Sequence, residues 1–257
     1  MILYKYLSFS TGKLLLKHCS IAFSRPWDFN DPFELHCAWN DFGDSAFASI
    51  AMRCLHETTL MLCLTKEPLN PLMWAHYCDS HMGFVIGIDV DECGWLDESK
   101  CMIPLQHGKV IYPKNRPAEQ TNDCPMDIGN ERSYKPNLKN RYQQYFLTKP
   151  ICWKYEREVR VVKCISDEEW SQEHGKSSIL ELSNQVSVSV KKYLHAIPRS
   201  AIKEIYLGLN HPCNKGTLAT NDFDITPWLS EASVVCCRLS PTSWDLHPVK
   251  FPLTTIV

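Results

Sequence analysis

The chain has 257 residues, 44% of them hydrophobic and 11% aromatic, which is core enough for one large domain or two small ones. A formal net charge of -2 without a long Lys/Arg run leaves no nucleic-acid footprint beyond what a local groove can offer. No apolar run approaches the ~18 residues of a membrane span, and Met1-Ile2-Leu3-Tyr4-Lys5 lacks a signal-peptide core.

The 13 cysteines are odd in number and show no C-x-x-C spacing. A reduced, cytoplasmic protein with free and mostly buried thiols, and no membrane contact, is therefore expected. Ile2–Phe9 alternates as a strand, Ser10-Thr11-Gly12 opens a short helix through His18, and Ile21–Ser24 reads as a second strand. Arg25–Glu34 is turn chemistry. A helix is expected from about Ser45 to His56, with Ile50, Cys54 and Leu55 on its apolar face, and Leu60–Leu64 as a buried strand. Asn70-Pro71 has the pattern of an N-cap followed by Pro at the first helical position, and Gly83 that of the matching stop. Strands follow at Phe84–Val90 and, shorter, at Val110–Tyr112.

Pro113–Pro136 is polar, holds four prolines and has no periodicity. Such a segment is expected to be a mobile cover beside an active site, removable without loss of folding. A helix over Asn137–Thr148 comes next. Strands are then expected near Ser178–Leu182, Ile202–Leu207 and Val234–Leu239, with one helical turn at Ile197–Ser200. On the last strand Cys236 and Cys237 face opposite ways. With no repeat and no linker, the reading is a single α+β domain over residues 1–257, its mixed, mainly antiparallel central sheet flanked by short helices.

Three stretches carry chemistry. In Lys149–Val162 an extended backbone would put Glu156, Glu158 and Arg160, two apart, on one side. Two carboxylates and a guanidinium there are either an exposed ion ladder or, given Trp153 and Tyr155 just before them, part of a site. Phe23–Glu34 sets Asn30 and Asp31 in an aromatic turn, as a rigid corner or as one wall of a pocket. Trp74, Tyr77 and Cys78 share a helical face with His76 beside it, which suits a core stripe or a ligand platform. The H-E-x-x-H zinc pattern, the phosphate loop, G-x-G-x-x-G and G-x-S-x-G are all absent.

Taken in order, Tyr4-Lys5-Tyr6, Phe23-Ser24-x-Pro26, Phe29-Asn30-Asp31-Pro32-Phe33-Glu34, Trp74-x-His76-Tyr77, Gly83-Phe84, Ile88-Asp89, Lys149 and Trp153-x-Tyr155-Glu156-x-Glu158-x-Arg160 resemble the bacterial domain-of-unknown-function 2971 family. Ile202-x-x-Ile205-x-Leu207-Gly208 extends the likeness. The order of strand, helix, strand, Trp/Tyr helix and late Glu-bearing strand also resembles the ADP-ribosyltransferase superfamily. That second resemblance implies an ADP-ribosyltransferase-like fold that uses NAD as substrate, with Glu158 as the catalytic Glu and Glu156 orienting the substrate. It implies Tyr4 or Lys5 at the early NAD-binding position, Ser24 at the ribose, and Trp74 or Tyr77 lining a nicotinamide pocket that Asn30, Asp31 and His76 border. Arg160 would fix Glu158 or face a diphosphate. The first strand holds no His or Arg, where that superfamily has one.

The leading expectation is an NAD-dependent ADP-ribosyltransferase, a toxin or phage-defence effector modifying a protein or nucleic acid and held in check by an inhibitory partner protein. Two others stand beside it: a metal-dependent nuclease using Asp31, Glu34, Glu156 and Glu158, and a non-catalytic ligand-sensing module. On the first reading, Glu158→Gln is expected to spare folding, because Glu156 and Arg160 would satisfy each other.

Overall fold

The computed structural model describes residues 1–33, 46–115, 128, 131–164, 193–215, 217–220 and 223–252. Alternation builds the centre of its larger sheet. In β1 (Ile2–Leu7), Leu3 and Leu7 face one core while Tyr6 faces another. Helix α1 (Phe9–His18) begins where the Ser8 side chain accepts from the Thr11 N–H, and it ends at Cys19 in the left-handed region. Strand β2 (Ser20–Phe23) then pairs with β6 (Tyr193–Ala196) in a separate two-stranded sheet. An isolated bridge from Ser24 to Met61 ties that sheet to β3 (Thr59–Thr65). Helix α2 (Ala46–Thr58) buries Leu55, whereas Ile50, expected inside, is 55% exposed.

Helix α3 (Pro71–Tyr77) starts as its sequence dictates, with the Asn70 side chain accepting from the N–H groups of Leu72 and Met73. It stops at Tyr77, six residues before Gly83. Asp79, Ser80 and His81 all have positive φ and turn the chain back first. Gly83 instead permits a close approach: a Cβ there would lie 2.1 Å from the Leu7 carbonyl oxygen. Strand β4 (Phe84–Asp89) follows, and later come α4 (Lys139–Phe146), β5 (Glu158–Cys164), β7 (Ile202–Leu207), β8 (Ser233–Leu239) and β9 (Leu246–Lys250). The larger sheet has the order β5-β3-β1-β4-β7-β8-β9. Its neighbours run antiparallel except β7 and β8, so it is mixed and mainly antiparallel.

Some expected elements differ. Val110–Tyr112 is no strand; Lys109 and Ile111 make isolated bridges to Val159 and Thr148. The strand expected at Ser178–Leu182 lies outside the described residues. The one-turn helix is Arg199–Ala201. Cys236 and Cys237 do point into different cores, and none of the eleven described cysteines forms a disulfide.

Most of Pro113–Pro136 lies outside the described residues, but the described part is not a detached cover. Ile128 is fully buried among Met61, Ile103, Tyr142 and Tyr145, and Tyr134 stacks on His107 at 4.2 Å. Deleting the whole segment should therefore harm folding. Ile128→Val alone should cost about 1 kcal/mol in urea unfolding, whereas an unchanged midpoint would mean that Ile128 is outside the core.

Candidate functional site

The larger sheet opens at one seam. β1 meets β4 at six paired positions and β3 meets β5 at seven, but β1 and β3 pair only at Tyr4 and Thr65. Lys5 crosses the gap, its Nζ donating to the Cys63 carbonyl at 2.9 Å. A cavity of about 380 Å³ lies against both sides of the seam. Tyr4, Lys5 and Tyr6 line it from β1, and Cys63, Leu64 and Thr65 from β3. The turn after β2 adds Ser24, Asp28, Phe29 and Asn30; α3 adds Met73, His76 and Tyr77; the remaining wall is Lys149, Glu156 and Glu158.

The two carboxylates reach this wall by a route other than a continuous strand. Ile151–Glu156 is a 3-10 helix, Arg157 closes it at φ 46° and ψ 46°, and β5 starts only at Glu158. A left-handed arginine costs local strain; its side chain is anchored outside by an ion pair to Glu67. The kink sets both carboxylates against one ammonium. Lys149 Nζ lies 2.6 Å from Glu156 Oε2 and 3.5 Å from Glu158 Oε2. Glu158 and Arg160 do share a strand face, and they pair bidentately: Nε to Oε1 at 2.9 Å and Nη2 to Oε2 at 3.1 Å.

Neither reading of an exposed ladder or of a phosphate-facing arginine fits this cluster. Arg160 is 0% exposed, with its Nη1 donating to the Phe146 carbonyl at 2.6 Å, so it cannot meet a diphosphate. Glu156 and Glu158 are buried as well. Two carboxylates and two cations form a neutral set, the condition under which such burial is tolerated. Burial alone would raise the Glu158 carboxyl, but the Arg160 guanidinium and then the Lys149 ammonium outweigh it and hold it well below the ordinary range. Burial would likewise lower Lys149, and Glu158 and Glu156 overturn that and raise it.

Glu156 is bonded to Lys149 and to Tyr77. Its Oε1 accepts from the Tyr77 hydroxyl at 2.5 Å, and the Tyr77 hydroxyl accepts from Asn30 Nδ2 at 3.4 Å. Burial first and Glu156 second push the Tyr77 phenol up, so it stays a donor. Tyr4 lines the cavity, yet its hydroxyl donates away to Glu204 at 3.1 Å. Gly87 makes room for that, since a Cβ there would lie 3.0 Å from the Tyr4 ring. Two expected wall residues are elsewhere. Trp74 is fully buried against Tyr6 and His81, its Nε1 donating to the Pro68 carbonyl. Asp31 is buried, its Oδ1 accepting from the Phe33 N–H, and it does not line the cavity.

Lys149 is a cavity residue that residue-by-residue reading passed over as a site residue. The missing positive charge was the signal: two glutamates and one arginine on a buried face need a second cation. Tyr112 was missed too; its hydroxyl accepts from the Glu158 N–H at 2.8 Å and fixes the start of β5.

Of the four residues of the metal reading, only Glu156 and Glu158 line the cavity among the described residues. Glu34 lies outside the described residues, Asp31 is off the wall, and Lys149 and Arg160 already neutralise both remaining carboxylates. No group of three or more His, Cys, Asp or Glu among the described residues has metal-holding geometry.

A pH dependence follows from Glu158. Because its native carboxyl is depressed below the ordinary 4.5, its stabilising contribution is complete above that value and is lost as pH falls through the native value. Unfolding midpoints measured from neutral pH into acid should fall steeply for the wild type below about pH 4.5 and less steeply for Glu158→Gln. Parallel curves would contradict the assignment.

A family profile described as a protein of unknown function (DUF2971) matches residues 73–161, from α3 through the carboxylate pair. No curated protein and no solved structure matches the chain. No described helix is long and apolar enough to cross a membrane.

Proposed function

Because the chain belongs, through residues 73–161, to the DUF2971 family, whose description names no activity, we propose its function from the site: the seam cavity binds NAD and cleaves the bond between nicotinamide and ribose. One observation carries the reading. Two buried carboxylates set against cations on the wall of a cavity, with aromatic and amide groups on the facing wall, are what stabilisation of a ribosyl cation needs. An ADP-ribosyltransferase-like architecture, with a seam opened between two halves of the sheet, is part of the proposal.

In this chemistry the C–N bond breaks, its electron pair leaves with neutral nicotinamide, and positive charge develops on the ribose. Glu156 faces that charge, since its two oxygens hold one partner each and Tyr77 can swing away at the end of α3. Glu158 is the fixed member, locked to Arg160, and it holds Lys149 in place. Phe29, His76, Tyr77, Asn30 and Ser24 border the ring and sugar. Lys5, whose Nζ lies on the wall and donates to the Cys63 carbonyl, meets the diphosphate. A nucleophile on a macromolecule, protein or nucleic acid, then attacks the ribose carbon and releases its proton.

Calorimetric titration with NAD tests the binding step. The wild type should bind, and Lys5→Ala should weaken binding about tenfold or more through the lost phosphate contact. Crystals soaked with NAD should hold nicotinamide beside Tyr77. Nicotinamide placed outside the seam would overturn the reading.

A further inference from the structure

We propose that Asn70 is the positioning residue that sets Glu156 against Tyr77, by tying together three elements that wall the cavity. Its role in catalysis rests on the NAD reading above; its role in geometry does not.

Every polar group of Asn70 is engaged. Oδ1 accepts from the N–H groups of Leu72 and Met73 at 3.0 and 3.3 Å, which starts the helix that ends in Tyr77. Nδ2 donates at 3.0 Å to the carbonyl of Tyr155, the residue before Glu156. The backbone N–H donates at 3.1 Å to the Tyr6 hydroxyl of β1, and Tyr6 itself donates to the Glu67 carbonyl at 2.7 Å. Both partners of the 2.5 Å Tyr77–Glu156 hydrogen bond thus hang from elements held by one amide.

The residue type is informative. Ser, Thr or Asp would cap α3 about as well, but Asn alone among these joins the capping acceptor to an N–H donor on the same side chain. The donor is the part that reaches the 3-10 turn and therefore Glu156. Asn70 and Tyr155 also line a second, open cavity of about 560 Å³ on their outer side. A smaller side chain at position 70 consequently leaves space open to solvent there, without a closed void to repack.

Asn70→Ser keeps the cap and removes the amide N–H that reaches the Tyr155 carbonyl, so it separates positioning from folding. Its melting temperature should stay within about 4 °C of the wild type, the cost of one hydrogen bond. Asn70→Ala, which also loses the cap, should melt lower still. A crystal structure of Asn70→Ser should show the Tyr77 hydroxyl and Glu156 Oε1 separated beyond about 3.5 Å. Nicotinamide release should fall roughly ten- to hundredfold in kcat with KM changed less than about threefold, since misplacement of a reacting group is costly. Glu156 still bonded to Tyr77 in Asn70→Ser would overturn the proposal. So would full kcat in that variant beside an active wild type. If the wild type neither binds nor cleaves NAD, the NAD reading falls, and the crystallographic separation alone decides the role of Asn70.

Discussion

Glu158→Gln is expected to destabilise the protein by about 3–5 kcal/mol, the cost of removing one partner from a buried ion pair. Arg160 is 0% exposed and gives two hydrogen bonds to Glu158, which also faces Lys149 at 3.5 Å. A glutamine offers one acceptor where two were used, turns an amide N–H toward a cation, and leaves the cluster with net positive charge. The earlier expectation that this substitution would spare folding assumed that Glu156 would pair with Arg160. Glu156 is instead committed to Tyr77 and Lys149 by the kink at Arg157. Urea unfolding should show the loss directly, and melting should drop by roughly 10 °C. Replacing Glu158 and Arg160 together by Met should recover much of it, because a well-packed apolar pair avoids the desolvation of two charges. A Glu158→Gln variant within about 1 kcal/mol of the wild type would mean that the bidentate pair contributes little to the fold.

Glu156→Gln should shift the balance from stability toward activity. Glu156 has one cation partner where Glu158 has two, the amide oxygen can still accept from Tyr77 or Lys149, and Lys149 keeps Glu158, so stability should fall less than in Glu158→Gln. On the proposed NAD reading this removes the negative charge that faces the ribose, and nicotinamide release should fall by about 10²–10³. The pair of variants thus divides one cluster into an anchor and a reacting group. Equal stability losses in both, with activity following the folded fraction, would contradict that division.

Much of the scaffold was legible where local chemistry dominates. β1 and β3 follow from alternation and apolar runs, β7 matches its expected limits, and α3 begins where Asn70-Pro71 says it must. The site was legible in outline: Tyr4, Lys5, Ser24, Asn30, His76, Tyr77, Glu156 and Glu158 do converge on one cavity. What failed depended on long-range charge and on backbone reversal. Period-2 spacing gave Glu156, Glu158 and Arg160 a common face, but nothing in an arginine announces a left-handed backbone at position 157. The depth of Arg160 follows from the second cation, Lys149, which sits across a 3-10 turn from the pair it neutralises. Trp74 was placed in the pocket by the ADP-ribosyltransferase resemblance, yet the short α3 turns it into the core under Tyr6. β9 escaped because Pro248 argues against a strand; it is tolerated on an edge, where its missing N–H costs no ladder bond.

In the proposed reaction Glu156, held in the seam cavity, supplies the charge that lets the nicotinamide–ribose bond break. Its most direct test is nicotinamide release from NAD, measured for the wild type and Glu156→Gln at equal concentrations of folded protein. Release by the wild type, reduced about 10²–10³-fold in the folded variant, is the predicted result. Release unchanged by the substitution would contradict the claim.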